Sequence, residues 1–299
     1  MKIIFFLLMT FYAINSSAAS CCGGGFSIPS IILGDDKAQI TNTLTTSHIS
    51  DDVLGNSKWM RRNDSNITNT LKIEGAALLS DYWQAGFSIP FVEKSATTFD
   101  NSKGLGDISF SLAHETFPEL AYSKWIPKGV TFIQLTLPTS PSIYDSPDLK
   151  SSEIRGRGLY TLGGGVALTK SWKIFDVQYN SELHRSFRQD FTNRVYGGQI
   201  TANPGWGSSQ NLGLGVNSEK WRLGGVFSFN YEDAVNIDGA LNSEGAPQKY
   251  FGFTFSTSYM FDQESSATIS YLDQSLLGNP INSALSKSVS FSYQYRWPR

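Results

Sequence analysis

The stretch that decides the fold is KYFGFTFSTSYMFD, residues 249–262 of a chain of 299 residues. One row of alternate positions is mainly aromatic and the other is small and polar. The first row holds Phe251, Phe253, Phe255, Thr257, Tyr259 and Phe261, and the second holds Gly252, Thr254, Ser256 and Ser258. A period of two is typical of a β-strand, because successive side chains point to opposite faces. The stretch therefore predicts a strand with one apolar and one polar face.

The same alternation recurs over most of the chain between Gly-, Asn-, Asp-, Ser- and Pro-rich links. It predicts strands at 37–49, 66–80, 82–92, 105–117, 129–138, 158–169, 172–185, 194–203, 208–217, 220–231, 249–262, 264–275 and 286–297. The apolar positions of 194–203 and 208–217 have the same parity. We therefore interpret these two segments as one long strand from Tyr196 to Asn217, whose first part projects above the membrane. The total becomes twelve strands.

The composition narrows the class of protein. Charged residues make up 17% of the chain, against about 25% in ordinary soluble domains. Aromatic residues reach 13%, there are 27 glycines, and mean hydropathy is −0.21. A disordered chain would lack these aromatics, and a net charge of −2 predicts no nucleic-acid partner. Beyond the N-terminus, no apolar run is long enough for a membrane-spanning helix.

A soluble β-sandwich also alternates, but three features favour a transmembrane barrel. The polar rows carry Gly, Ser, Thr and Asn rather than Lys and Glu, and links alternate between tight and long. Aromatic residues lie at strand ends, as in interfacial girdles: Trp83, Trp221, Tyr231, Tyr259 and Trp297. We predict an all-β fold, an antiparallel transmembrane β-barrel with short periplasmic turns and longer outer loops. One link, 118–128, is long for the periplasmic side where the order of strands places it.

The N-terminus predicts export. Lys2 precedes an apolar run at 3–14 and small residues at 16–20, which is the pattern of a secretory signal peptide covering 1–20. Residues 21–36 are predicted to form a flexible Cys- and Gly-rich arm. Whether Cys21 is lipidated or paired with Cys22 stays open. A single barrel domain is predicted for 37–299, located in a bacterial outer membrane and surrounded by its lipid.

Three segments carry a family resemblance. KGLGDISFSLAHETFPE (103–119), KWRLGGVFSFNYED (220–233) and VSFSYQYRW (289–297) resemble segments of outer-membrane transport barrels. These barrels include the channel-like proteins encoded with aromatic-compound degradation pathways. The resemblance implies a barrel of the porin or transporter type. Such barrels commonly end on an aromatic residue read by the barrel-assembly machinery, a partner expected here too, although Trp297 is followed by Pro298 and Arg299.

Parity assigns a set of charged side chains to the lumen. Both signs occur in similar number, whereas a strongly selective pore shows rings of one sign. The mixture predicts weak selectivity or ion pairs across the lumen, and the loop 139–157 is the best candidate for a constriction. The predicted lumen-lining residues are Lys72, Glu74, Asp107, Glu115, Asp176, Glu182, Arg222 and Arg296. Together they predict a passive channel or transporter for a small-molecule solute, with no cofactor and no metal.

Two alternatives remain. His184 and Ser186 share a strand face, and a His-x-Ser pair oriented by Asn193 would suit an outer-membrane lipid hydrolase. Parity turns this pair inward, away from the lipid such an enzyme needs, so we favour a polar structural role. The other alternative is a closed structural or adhesive barrel whose outer loops contact a partner.

Overall fold

The computed structural model describes residues 29–62, 66–96, 99–146, 153–193, 197–240 and 242–299. The predicted signal peptide and the arm up to residue 28 lie outside this range. The strands are β1 Asp36–Val53, β2 Trp59–Arg61, β3 Asn66–Leu78, β4 Trp83–Ala96, β5 Phe99–Leu105, β6 Ile108–Phe117, β7 Lys128–Leu137, β8 Thr161–Trp172, β9 Phe175–Ser186, β10 Gln189–Asn193, β11 Gly198–Asn203, β12 Trp206–Asn217, β13 Trp221–Glu232, β14 Asn236–Gly239, β15 Gln248–Met260, β16 Ser265–Asp273 and β17 Ser283–Pro298.

Twelve of these strands close into an antiparallel barrel. Around the wall the order is β1, β3, β4, β6, β7, β8, β9, β12, β13, β15, β16 and β17, and β17 pairs with β1. That last pairing runs from Asp36 opposite Pro298 to Val53 opposite Ser283. Closure leaves no free sheet edge, which is the condition for β-structure in hydrocarbon. The predicted fold class and strand number are confirmed.

The prediction of one long strand from Tyr196 to Asn217 is wrong. Tyr196 lies outside the described residues, and the barrel strand β12 begins only at Trp206. The preceding strand β11 belongs to a separate three-stranded sheet, with β10 on one side and β14 on the other. Pro204, which has no N–H for a ladder, and Gly205 separate β11 from β12. The apolar positions of the two segments have the same parity, but the segments form two separate strands that belong to different sheets.

The two ends of the barrel differ in their connections. The end that we call the turn end carries the links 79–82, 118–127, 173–174, 218–220 and 261–264, together with the start of β1 and the end of β17. The opposite end, the loop end, carries the longer links and the separate sheet of β10, β11 and β14. This is the alternation expected of an outer-membrane barrel, in which longer loops face outward.

The outward row of the barrel strands is apolar and exposed. Among the described residues, no helix is long and apolar enough to cross a bilayer. The exposed side chains of the outward row include Leu71, Phe87, Phe110, Ile133, Leu183, Leu212, Leu223, Phe255, Ile269 and Phe291. Soluble monomers rarely expose a contiguous apolar belt of this extent. The outward row is therefore chemically suited to hydrocarbon.

Aromatic side chains cluster at the turn end, as the sequence predicts. Trp221 packs on Tyr259 with ring centroids 4.7 Å apart, and Tyr295 packs edge-on against Trp297 at 4.9 Å. Trp83 lies at the start of β4 and contacts the ring of His114 at 4.8 Å. Amphipathic rings at strand ends suit the boundary between hydrocarbon and headgroups.

The long link 118–127 folds back onto the outside of the barrel. Lys170, on the outward row of β8 and almost buried, pairs with Glu119, and its ammonium lies 4.8 Å from the Tyr122 ring. The Trp172 indole N–H donates to the Lys124 carbonyl at 2.7 Å. The hydrogen bond from Lys170 lowers the pKa of Glu119. These contacts explain why a long link is tolerated at the turn end.

Candidate functional site

The inward face of the barrel carries small polar side chains. Several of them hydrogen-bond to one another across neighbouring strands. The cross-strand hydrogen bonds are Thr43 with Ser292 (2.9 Å), Thr45 with Ser290 (2.8 Å), Ser209 with Asn230 (2.8 Å) and Thr268 with Ser258 (2.8 Å). Small side chains on this face leave space inside the wall.

Five of the eight residues predicted to line the lumen form ion pairs along the wall. Each pair lies within one strand or between strands that are close in the barrel, rather than across the lumen. The pairs are Lys72 with Glu74 (3.0 Å), Glu115 with Lys128 (3.2 Å) and Asp176 with Arg222 (2.6 Å). Asp176 also accepts a hydrogen bond from Asn217 at 2.7 Å. Both charges of each pair lie together, which fits the predicted weak selectivity.

Asp107 and Arg296 have more specific surroundings. Asp107, between β5 and β6, accepts hydrogen bonds from the Ser140 backbone and hydroxyl and from the Arg157 backbone N–H at 2.7–3.2 Å. It therefore anchors the loop 139–157. Near the turn end, the Arg296 backbone donates to the Glu264 carbonyl at 2.7 Å, and its Nε is buried without a hydrogen-bond partner among the described residues.

Glu182, the last of the eight, belongs to a buried charge network at the loop end. His184 Nδ1 lies 3.0 Å from both Glu182 carboxylate oxygens, and His184 Nε2 lies 3.1 Å from both oxygens of Glu232. His184 and Glu182 are each only 1% exposed. Because ionised carboxylates only accept, both ring nitrogens of His184 donate, so the ring is a cation held between two anions.

Arg157 completes this network from the loop 139–157. Its Nη2 lies 2.8 Å from Glu232. The network therefore contains two cations, Arg157 and His184, and two carboxylates, those of Glu182 and Glu232, at the loop ends of β9 and β13. Burial by itself would lower the pKa of Arg157, and the Glu232 carboxylate more than offsets this, so the pKa of Arg157 is raised. Arg157 and Glu232 are the partners that sequence reasoning missed, because loop and strand meet only in the folded barrel.

The hydrolase alternative finds no support in this geometry. Both nitrogens of His184 face carboxylates, which leaves no lone pair to take a proton from Ser186. The Ser186 hydroxyl instead shares a hydrogen bond of 2.8 Å with Thr161. Asn193 ends β10, and its side chain lies outside what the structure describes. The arrangement favours the structural interpretation of the His-x-Ser pair.

A short N-terminal strap, residues 29–33, lies inside the barrel. The Ile32 N–H donates to Gln84 Oε1 at 2.7 Å, and Gln84 Nε2 returns a hydrogen bond to the Ile32 carbonyl at 3.2 Å. Gln39 Nε2 donates to the Ser30 hydroxyl and the Ile31 carbonyl at 3.1 and 3.2 Å. These residues belong to the C-terminal part of the predicted flexible arm, and hydrogen bonds connect them to β1 and β4.

The strap rests on an apolar patch of the inner wall. Ile31 and Leu33 pack against a cluster formed by Ala113, Val130 and Phe132, all at most 4% exposed. Sequence reasoning missed this patch. The β7 segment KGVTFIQLTL is apolar on both rows over part of its length, a pattern that does not reveal which row faces inward. The lumen is therefore less uniformly polar than predicted.

The links of the loop end fold into a cap with its own core. Tyr144, Leu159, Phe191, Ile200 and Ala202 are buried together, and the rings of Tyr144 and Phe191 stack with centroids 5.0 Å apart. Beside this core lies a cavity of about 240 Å³ between the loop 139–157, the end of β13 and the segment 233–248. This cavity therefore brings together a loop, the barrel rim and open space.

The geometry can be compared with solved structures. The COG4313 outer membrane channel from Pseudomonas putida F1 has a TM-score of 0.71 at 10% identity, over 89% of this chain and 97% of that chain. That likeness establishes the fold. The Pseudomonas putida toluene transporter TodX has a TM-score of 0.46 at 11% identity, over 88% and 89% of the two chains. The CymD monoaromatic hydrocarbon channel has a TM-score of 0.44 at 10% identity, over 89% and 90%.

At the level of sequence, a scan of protein-family models and a search of curated proteins find no match. The similarity therefore lies in the arrangement of strands and not in shared residues. What the chain does has to be argued from its own lumen and cap.

Proposed function

We propose that this chain is an outer-membrane barrel that acts as a passive channel or transporter for small solutes. The observation that carries the proposal is the closed wall of twelve strands with an exposed apolar row outside and small hydrogen-bonded polar side chains inside. An exposed apolar row of this kind is unfavourable in water, whereas the hydrocarbon core of a bilayer requires it. An export signal at 1–20 and recognition by the assembly machinery belong to the same proposal.

The charges support a pathway with little preference between cations and anions. The wall pairs are neutral as units, and the network around His184 contains as many cations as anions. A selective pore would present a row of one sign at its narrowest point. The expected mechanism is diffusion limited by the cap at one end and the strap at the other, without a chemical step on the solute.

The test is conductance of the purified protein in planar lipid bilayers. We expect discrete current steps and, under a salt gradient, a reversal potential near zero, because opposite charges are paired along the wall. A control preparation carried through purification without the protein gives the background. Reconstituted protein that is folded on a gel yet silent over many insertions would contradict the proposal.

The hydrolase alternative has its own expected result. Esterase activity of the wild type on a short acyl ester should not exceed that of heat-denatured protein, and Ser186→Ala should leave the background unchanged. The substitution removes one hydroxyl hydrogen bond to Thr161, with a cost of about 0.5–1.5 kcal/mol to stability. Ester cleavage that disappears in Ser186→Ala, with folding retained, would restore the enzymatic interpretation.

A further inference from the structure

The cavity in the cap lies at the loop end of the barrel. Its floor includes Ser186 and Glu232, which end two barrel strands, and its walls come from the loop 139–157 and the segment 233–248. Its volume of about 240 Å³ lies just below the range of about 300–1,000 Å³ usual for small-molecule sites. The space suits a compact molecule.

One side of the cavity is apolar. Ile143 and Tyr144 line it from the loop 139–157, Leu159 lines it from just beyond that loop, and Val235 and Ile237 line it from the segment around β14. Most of these side chains also belong to, or pack against, the buried core of the cap, so the wall is held by tertiary packing. An apolar wall of this kind favours the hydrocarbon body of a ligand.

The other side offers hydrogen bonding without a net preference for either charge. Arg157 lines the cavity with a side chain that is 26% exposed, and its Nη2 lies 2.8 Å from Glu232. Glu232 and Asp233 line the same side and would repel an anion. Arg157, with His184 directly behind Glu232, would repel a cation. A neutral oxygen that accepts a hydrogen bond from the exposed part of the Arg157 guanidinium avoids both costs.

We propose that this cavity is a binding site for a small neutral molecule with an apolar body and one oxygen group, such as an alcohol or a ketone. The inference rests on the proposed function in one respect: it names the class of solute that the channel would take from the loop end. Binding itself requires no transport, so the two proposals are tested by separate measurements.

The test uses three probes that share a cyclohexane ring and carry a neutral, an anionic and a cationic substituent: cyclohexanol, cyclohexanecarboxylate and cyclohexylammonium. Binding to the folded full chain in lipid nanodiscs is measured by calorimetry, with empty nanodiscs subtracted. We expect saturable binding of cyclohexanol and affinities lower by about tenfold or more for both charged probes, because each meets a like charge in the cavity wall. Equal behaviour of all three probes would overturn the proposal.

Matched variants locate the site. Val235→Phe fills the cavity and should weaken cyclohexanol binding by about tenfold or more. Ala240→Phe adds the same ring at an exposed position of the same segment outside the cavity, and should leave binding unchanged. Arg157→Met should remove the preference for the alcohol. Unchanged binding in Val235→Phe would overturn the assignment even if Arg157→Met fails to fold. Binding by a protein that is silent in bilayers would overturn the channel alone.

Discussion

Deleting residues 21–33 should raise the single-channel conductance of the barrel by about twofold or more, because the strap occupies part of the lumen cross-section. The strap is held by four hydrogen bonds with Gln84 and Gln39 and by contact of Ile31 and Leu33 with the wall. The readout is the distribution of current steps in planar bilayers, compared with the full chain under the same salt.

A point variant tests whether the strap can leave the inner wall while it is still part of the chain. Gln84→Ala deletes both hydrogen bonds to the Ile32 backbone, each worth about 0.5–1.5 kcal/mol, and should shift the equilibrium toward a released strap by roughly 5- to 150-fold. Long high-conductance periods should therefore become more frequent. Ser88→Ala, on the same inward row of β4 but without a described contact to the strap, is the matched control.

The double variant decides between two explanations. If Gln84 acts through the strap, Gln84→Ala should change nothing further in the chain that already lacks residues 21–33. An equal conductance gain with and without the strap would show that Gln84 itself narrows the lumen. An unchanged conductance after the deletion would contradict the idea that the strap obstructs the pathway.

His184→Ala should destabilise the barrel more than any substitution on its outward row. The change leaves Glu182 and Glu232 facing an empty position, with Glu182 only 1% exposed. Removing one partner of a buried ion pair costs about 3–5 kcal/mol. For a chain of this size, that corresponds to a fall in the unfolding midpoint of about 5–9 °C. The midpoint is read from the heat-induced mobility shift on a gel.

Two variants control this result. Arg185→Ala changes the neighbouring residue, which lies outside the network with its guanidinium 5.3 Å from the Trp206 ring, and should lower the midpoint far less. Glu182→Gln combined with His184→Gln removes one charge of each sign and should recover much of the loss. A midpoint of His184→Ala equal to that of the wild type would mean that the network carries no net stability.

The sequence alone predicts the strands that span the barrel wall better than the short strands in the links. The alternation in 249–262 and 286–297 correctly predicts barrel strands, because each side chain in a spanning strand meets either lipid or lumen. The small strands β2, β5, β10 and β14 escaped prediction. They lie in the links, where no lipid face imposes an apolar row. For the same reason the fusion of β11 with β12 failed.

For the predicted site, the sequence likewise identifies candidate residues but not the partners that they contact. Parity chose eight charged residues for the lumen, and the structure supplies the partners for most of them. Lys128 and Arg157, the partners of Glu115 and Glu232, could not be deduced. The first pair depends on the register between β6 and β7, and the second on where the loop 139–157 meets the end of β13. Burial of Val130 and Phe132 beneath the strap was equally out of reach.

The amino-acid order alone therefore determined a barrel with an apolar outer surface, because a period of two is a local property that any spanning strand must satisfy. The strand number was correct, although it rested on joining β11 to β12, which the structure overturned. The tertiary structure alone decided where the strap lies, which charges meet around His184 and where the cap leaves a cavity. Those features join residues that are far apart in the chain, and only closure of the barrel brings them within contact distance.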